Sequence, residues 1–415
     1  MQKRINLMIV SGLLSLSALS LMAQNSTNSP YTRYGYGELA NRSFGAGRAM
    51  GGVGIGLRSS KQINPMNPAS YSCMDSMTFL FDFGASAQLS WYDDGTNKQN
   101  DVNGNVEYMA MQFPLHRRIA MSVGLLPYTH VGYNFRNINT SQAYEETFTG
   151  TGGLNQLYAG LSMDVWKKRL SIGANINYLF GSINHQATTG YYSSNATSVT
   201  SLTEYRFSDA TFDFGVQYTH PLSKTERLIL GLTYTPKKRL NSDVYGTIAS
   251  SENVTDTITG KSFDIPTGYG IGLSYTKDSK WIIAVDFSYQ EWKKATFEGK
   301  RDDFKNRSKV NAGVEYIPNL YSRPFFNRVR YRMGVSYSNS YIQIEDNSYR
   351  EYGATVGFGF PISDARSYIN VSFEYMNISP KKISPNAKAM IDENYLRMTL
   401  SYTFNEYWFF KRKVD

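Results

Sequence analysis

Four histidines are the side chains of this 415-residue chain best suited to moving protons, and the sequence scatters them as His116, His130, His185 and His220. A barrel hydrolase would need an activated nucleophile or water held by an oriented base. His130 and His185, each with acids nearby, are the pair that could supply it, yet no local motif accompanies either. They read as ordinary side chains of a rim, and the chain is not expected to be an enzyme. Cys73 is the only cysteine. It has no partner at metal-site spacing, so neither a metal nor another cofactor is expected, and an intrachain disulfide is excluded. A free, partly buried thiol is the plain reading.

Two motifs near the start hold more information. The first runs Gly45-Ala46-Gly47-Arg48-Ala49-Met50-Gly51-Gly52-Val53-Gly54, and the second Asn64-Pro65-Met66-Asn67-Pro68-Ala69. A nucleotide loop is a poor reading, because the glycine spacing misses G-x-G-x-x-G and no strand-to-helix unit surrounds it. Glycines without Cβ allow close packing and positive φ. Each Asn-Pro step turns Asn64 and Asn67 away from helix and lets their side chains satisfy nearby backbone groups. Arg330 and Arg332 share one strand face. Paired with carboxylates such as Glu374 or Asp286 they would hold internal structure, and a cationic site for a ligand carboxylate is the alternative.

The elements that must carry these residues are strands. From Trp281 onward, Trp281, Ile283, Val285, Phe287 and Tyr289 occupy one face, and Ile282, Ala284, Asp286, Ser288 and Gln290 the other. Ile369, Val371, Phe373 and Tyr375 oppose Asn370, Ser372 and Glu374, and Leu396 to Phe404 alternate in the same way around Arg397. From Met77 to Phe404 the rhythm fits about fourteen strands, with connections alternately short and long. A sheet with one apolar face crosses a bilayer only when it closes, because hydrocarbon offers free backbone groups no partner. The fold expected is therefore all-β: a transmembrane antiparallel β-barrel of about 14 strands. A charge on the lipid face costs about 2 to 4 kcal/mol at the midplane. Asp286, Arg330, Arg332, Glu374 and Arg397 are accordingly assigned to the lumen.

Short turns, often basic, are expected at His116-Arg117, Lys167-Lys168, Pro221 to Arg227, Lys277 to Lys280 and Pro361 to Arg366, and form the periplasmic end. Long polar connections, near Asp93 to Asn105, Asn134 to Gly153, Gln186 to Thr203, Leu240 to Asp264, Thr296 to Lys305 and Ser379 to Asn394, form extracellular loops. Pro318 to Asn327 exceeds a tight turn, and a small helix there is left open. Residues 1–23 have the parts of a secretory signal, with Lys3 and Arg4, an apolar stretch from Leu7 and Ala23 before the cleavage point. Residues 24–76 lack sustained alternation. A barrel this wide needs filling, and the segment is expected to fold into the lumen as a plug, with a periplasmic tail as the rival. The barrel spans 77–404, and 405–415 make an aromatic and basic end at the periplasmic side.

Composition agrees. Aromatics are 14% of the chain, with 32 Tyr and 23 Phe, while mean hydropathy is −0.40, as when outward apolar side chains are averaged against polar inner faces and loops. A soluble sandwich or propeller is disfavoured by the lack of a fixed repeat. The net charge of +9 is spread over turns and strand ends, so nucleic acid is not an expected partner.

With its glycine-rich Gly-Arg-Ala stretch followed by Asn67-Pro68-Ala69, the chain resembles the FadL/TodX family of outer-membrane channels for fatty acids and other hydrophobic compounds, with features of a Bacteroidetes-type member in Ser29 to Gly35 and the basic C-terminus. The resemblance implies an N-terminal hatch in a fourteen-stranded barrel of the Gram-negative outer membrane. Gly47, Arg48, Gly51, Gly52, Asn64, Pro65, Asn67 and Pro68 would gate it. It also implies a kinked third strand, where Gly124 and Pro127 would form a lateral opening through which a hydrophobic small-molecule ligand passes into outer-membrane lipid. Barrels of this kind also resemble non-transporting subunits of outer-membrane secretion or barrel-assembly complexes, whose partners are other outer-membrane proteins.

Overall fold

The computed structural model describes residues 26–139, 144–166, 168–192, 197–250, 253–258, 260–301, 303–344, 347–362, 366–381 and 390–407. The expected leader at 1–23 and the basic end beyond Tyr407 lie outside the described residues. Fourteen antiparallel spans follow one another in chain order. They are β1 (Thr78–Asp93), β2 (Lys98–His116), β3 in two pieces (Ile119–Pro127 and Thr129–Asn139), β4 (Tyr144–Trp166) and β5 (Leu170–Tyr191). Then come β6 (Val199–Pro221), β7 in two pieces (Glu226–Thr235 and Ser242–Ala249), β8 (Gly268–Lys277), β9 (Trp281–Gln290) and β10 (Arg307–Tyr316). The last four are β11 (Arg330–Asn339), β12 (Ser348–Ile362), β13 (Ser367–Lys381) and β14 (Asp392–Tyr407). β14 pairs along β1 from Thr78↔Tyr407 to Asp93↔Asp392, which closes the cylinder.

The two-residue rhythm sets the faces. On β9 the side chains of Trp281, Ile283, Val285 and Phe287 are exposed outward, while Ala284 and Asp286 are buried. The same holds for Leu396, Met398, Leu400 and Tyr402 on β14, against buried Thr399, Ser401 and Thr403. Outward apolar exposure of this kind is stable only against hydrocarbon.

Several stretches expected as loops are strand instead. β4, β5 and β6 have 23, 22 and 23 residues, where about 9 to 11 cross a bilayer. Asn97 is already the last turn residue before β2, and the stretches 134–139, 144–153, 186–191, 199–203 and 242–249 are paired. Above the membrane both faces meet water, so the ladder continues without the apolar alternation that marks it within lipid. The open question at Pro318 to Asn327 resolves as a 3-10 turn at Phe325–Arg328.

At the long-connection end an aromatic core forms around Tyr36, Phe207, Phe263, Trp292, Phe304 and Tyr341. Trp292 is fully buried, and each such side chain contributes about 1.5 to 3 kcal/mol by leaving water. Tyr36 belongs to the N-terminal segment, which passes from this rim down the interior. A 3-10 turn at Pro30–Arg33 starts the path, a helical turn at Gly45–Ala49 lies in its middle, and a 3-10 helix at Pro68–Cys73 ends it at the short-turn side, just before β1.

Candidate functional site: the inner segment and the wall around it

The two motifs of the inner segment are held by inward side chains from several sides of the barrel. Gly47 and Arg48 lie in the helical turn. The Arg48 guanidinium is buried, donates to the Ser43 and Asn41 carbonyls, and meets Glu107 of β2 at 2.9 Å. Gly51 donates its N–H to Thr355 Oγ1 of β12 at 2.8 Å, and the Thr355 hydroxyl donates to the Ala49 carbonyl. Gly51 has φ +74, and a Cβ there would stand 2.6 Å from the Val335 carbonyl and 2.8 Å from that of Ala312. Only glycine tolerates both the backbone and the approach. The Gly52 carbonyl accepts from Asn311.

Asp286 is the strongest anchor. Its carboxylate accepts from the backbone N–H groups of Gly54 at 2.6 Å, Ile55 at 2.8 Å and Gly56 at 3.3 Å, each a charge-assisted bond. The two asparagines do the local work expected of an Asn-Pro step. Asn64 donates to the Gly54 and Leu57 carbonyls and accepts from Met66 N across Pro65. Asn67 caps the helix begun by Pro68, accepting from Ala69 N at 3.1 Å, and donates to the Ile55 carbonyl at 2.9 Å.

The lumen charges pair differently from the sequence expectation. Arg330 and Arg332 meet neither Glu374 nor Asp286; both bind Glu315 of β10, each at 2.6 Å. Register explains it, since Glu315 lies directly across from Arg332. Glu374 instead faces Arg397 at 3.5 Å, and Arg397 also approaches Glu38 of the inner segment at 3.6 Å. Sequence reasoning missed Arg42–Asp213 at 2.6 Å and Arg58–Asp164 at 2.7 Å. Both join the inner segment to the wall, and their partners are far apart in the chain. His185 bonds the Tyr133 hydroxyl, His130 pairs with Glu38 of the inner segment at the start of the second β3 piece, and His116 and His220 stand at the short-turn ends of β2 and β6.

The wall is interrupted beside this anchorage. Pairing of β2 with β3 ends at Met109↔Leu125, and the first piece of β3 ends at Pro127. The second piece stays with β4, while its other edge takes Glu38–Leu39 of the inner segment instead of β2. Above Met109 the β2 edge is thus released from β3. At Gly124 a Cβ would meet Ala110 and Tyr158 side chains at 2.7 Å, so the wall packs closely just below the break. A second interruption separates β6 from β7 at 208–213, where the chain leaves the ladder after Thr235 and Lys238–Leu240 pairs with Phe263–Ile265. Pro236 is the signal that marks it.

Two of the spaces left inside are small, and charged and apolar side chains line them together. A cavity of about 140 Å³ is lined by residues including Arg42, Gln156, Asn177, Asp213, Arg307 and Lys309. A smaller one of about 50 Å³ lies between Glu38, Glu107, His130 and Arg397.

The closed fourteen-stranded barrel is a fold shared with solved transporters and channels for hydrophobic compounds. The structure is similar to the toluene transporter TbuX of Ralstonia pickettii, with a TM-score of 0.58 at 14% identity over 88% of this chain and 98% of that one. It is also similar to a Pseudomonas aeruginosa FadL homologue, at 0.59 and 12% over 89% and 99%. The Pseudomonas putida toluene transporter TodX gives 0.56 and 14% over 90% and 99%. At such identities the likeness is one of fold. No curated protein matches the chain in sequence. The family model for BamG matches residues 1–415, and the chain belongs to the BamG family.

Proposed function

We propose that this protein is a docking or scaffold barrel of an outer-membrane assembly complex in a Gram-negative bacterium, with neighbouring outer-membrane proteins as its partners and catalysis no part of its work. One observation carries the reading. The inner segment is fastened to the wall by the buried ion pairs Arg48–Glu107 and Arg58–Asp164, by the half-buried pair Arg42–Asp213, and by three backbone bonds to Asp286. Breaking a buried pair by removing one partner costs about 3 to 5 kcal/mol, so a segment bound this way makes a poor gate. The cavity beside Arg42 and Asp213 is small and carries the charged side chains of Arg307 and Lys309 as well, where a hydrophobic cargo needs an apolar path. Membership of the BamG family agrees with a role apart from the toluene transporters. Copurification after gentle detergent extraction tests the reading. A stoichiometric complex with other barrels is expected, and an isolated monomer carrying bound lipid would overturn it.

A second reading, passive uptake of hydrophobic small molecules such as long-chain fatty acids, is favoured by the released β2 edge beside Pro127. In that account the hatch residues Gly47, Arg48, Gly51, Gly52, Asn64, Pro65, Asn67 and Pro68 control passage and the break opens to lipid. Transport of a hydrophobic probe into proteoliposomes, reduced by Pro127→Val, would support it.

A further inference from the structure

At the short-turn end, where the inner segment leaves the lumen for β1, a cavity of about 340 Å³ opens toward the periplasmic mouth. Its lining holds four cations, Arg58, Arg117, Lys168 and Arg227, against two carboxylates, Asp75 and Asp164. Arg58 is already committed to Asp164 at 2.7 Å. Arg117, Lys168 and Arg227 are exposed, stand on the β2–β3 turn, the β4–β5 turn and the start of β7, and have no ion-pair partner among the described residues. Met74 and Ile229 add an apolar floor, with Cys73 beside them.

Three uncommitted cations converging on one concave space raise the local potential for anions. Two are guanidinium groups, whose planar forks match a carboxylate in two parallel bonds. The cavity is larger than one small anion, and its apolar floor suits the methylene stem of an acidic side chain. Its lining also takes Asp164 of β4, Thr219 of β6 and Ile229 of β7, so the site combines wall strands with the turns that carry Arg117 and Lys168.

We propose that this cavity is the receptor for an acidic peptide segment of a periplasmic or barrel partner, with Arg117, Lys168 and Arg227 as the residues that bind its carboxylates. The proposal rests on the docking role argued above and names the chemistry of its partner.

Cys73, as the only cysteine, reports on the cavity directly. Burial pushes its thiol up, opposed by the nearby charges of Arg58 and Arg227, and its partial exposure leaves it open to alkylation. Full-length protein in detergent is treated with N-ethylmaleimide in the presence of a capped peptide of alternating Glu and Ser, or its Gln and Ser counterpart. The Glu peptide is expected to protect Cys73 and the Gln peptide to leave it unprotected. In Arg117→Ser/Arg227→Ser, protection should need about tenfold more Glu peptide, as expected for the loss of charge-assisted bonds. Heat-modifiable mobility on gels confirms that the variant barrel is folded, and the comparison of the two peptides on the unaltered protein does not depend on it. Equal protection by both peptides, or protection unchanged in the double variant, overturns the proposal. So does protection by inorganic phosphate at the same concentration, which would make the site one for small anions. A stoichiometric complex that forms normally in the double variant overturns this cavity as the docking point and leaves the scaffold reading standing; loss of both complex and protection supports the two together.

Discussion

Arg48 of the inner segment and Glu107 of β2 meet at 2.9 Å with both side chains almost wholly buried, close to the point where β2 loses its pairing with β3. The pair ties the interior to the strand whose edge has been released. Removing one charge should therefore loosen the segment where the wall is weakest. Glu107→Gln is expected to lower stability by about 3 to 5 kcal/mol, because the Arg48 guanidinium would stay buried without its counter-charge. The check is the temperature at which the barrel loses its compact mobility in SDS. Arg48→Met/Glu107→Leu should recover much of the loss, and a single variant as stable as the parent would contradict the assignment.

Asp286 makes a different prediction, because its partners are backbone groups that no side-chain change can replace. In Asp286→Ala the N–H groups of Gly54, Ile55 and Gly56 lose their acceptor, at a cost of about 2 kcal/mol or more. Small-ion conductance in planar bilayers should rise as the segment detaches. Asp286→Asn, which keeps one acceptor oxygen, should fall between.

Gly51→Ala tests how tightly the segment abuts the wall. With φ +74 and a Cβ aimed 2.6 Å from the Val335 carbonyl, the substitution should cost about 1 to 3 kcal/mol in strain alone, and more from the contact. Gly95→Ala is the control. It has φ +87 but open space around it, so only the backbone term of about 1 kcal/mol should appear. Equal unfolding temperatures for the two variants would count against the close approach.

How much of this was legible in the chain follows from what enforced each pattern. Hydrocarbon forces alternation, so the faces of β9 and β14 could be read from Trp281 to Tyr289 and from Leu396 to Phe404. Above the bilayer nothing enforces it, and the paired extensions of β4 to β6 looked like loops. Asn64, Asn67 and Pro68 act within a few residues of themselves, so their caps and turns were readable. Pairs such as Arg42–Asp213 depend on the register of a dozen strands and the path of the inner segment, which leave no local trace. Glu315 was passed over for Arg330 and Arg332 because choosing among lumenal carboxylates requires knowing which residue lies across the ladder. Gly124 and Pro127 flagged an irregular third strand, while the break at β7 carried an equal signal in Pro236 that alternation on either side concealed.

Pro127→Val separates the two functional readings. Valine restores a backbone donor at the end of the first β3 piece and favours continued pairing. In the docking account, barrel assembly and permeability to a hydrophobic probe are both unchanged. A fall in probe uptake with normal assembly would instead favour the channel.

The most direct test of the central claim is native mass spectrometry of the particle that carries this protein out of the membrane under mild detergent. A docking barrel is predicted to leave in one defined complex containing at least one further outer-membrane protein. A single chain with lipid bound in its lumen, and no partner at any detergent strength, would contradict the account.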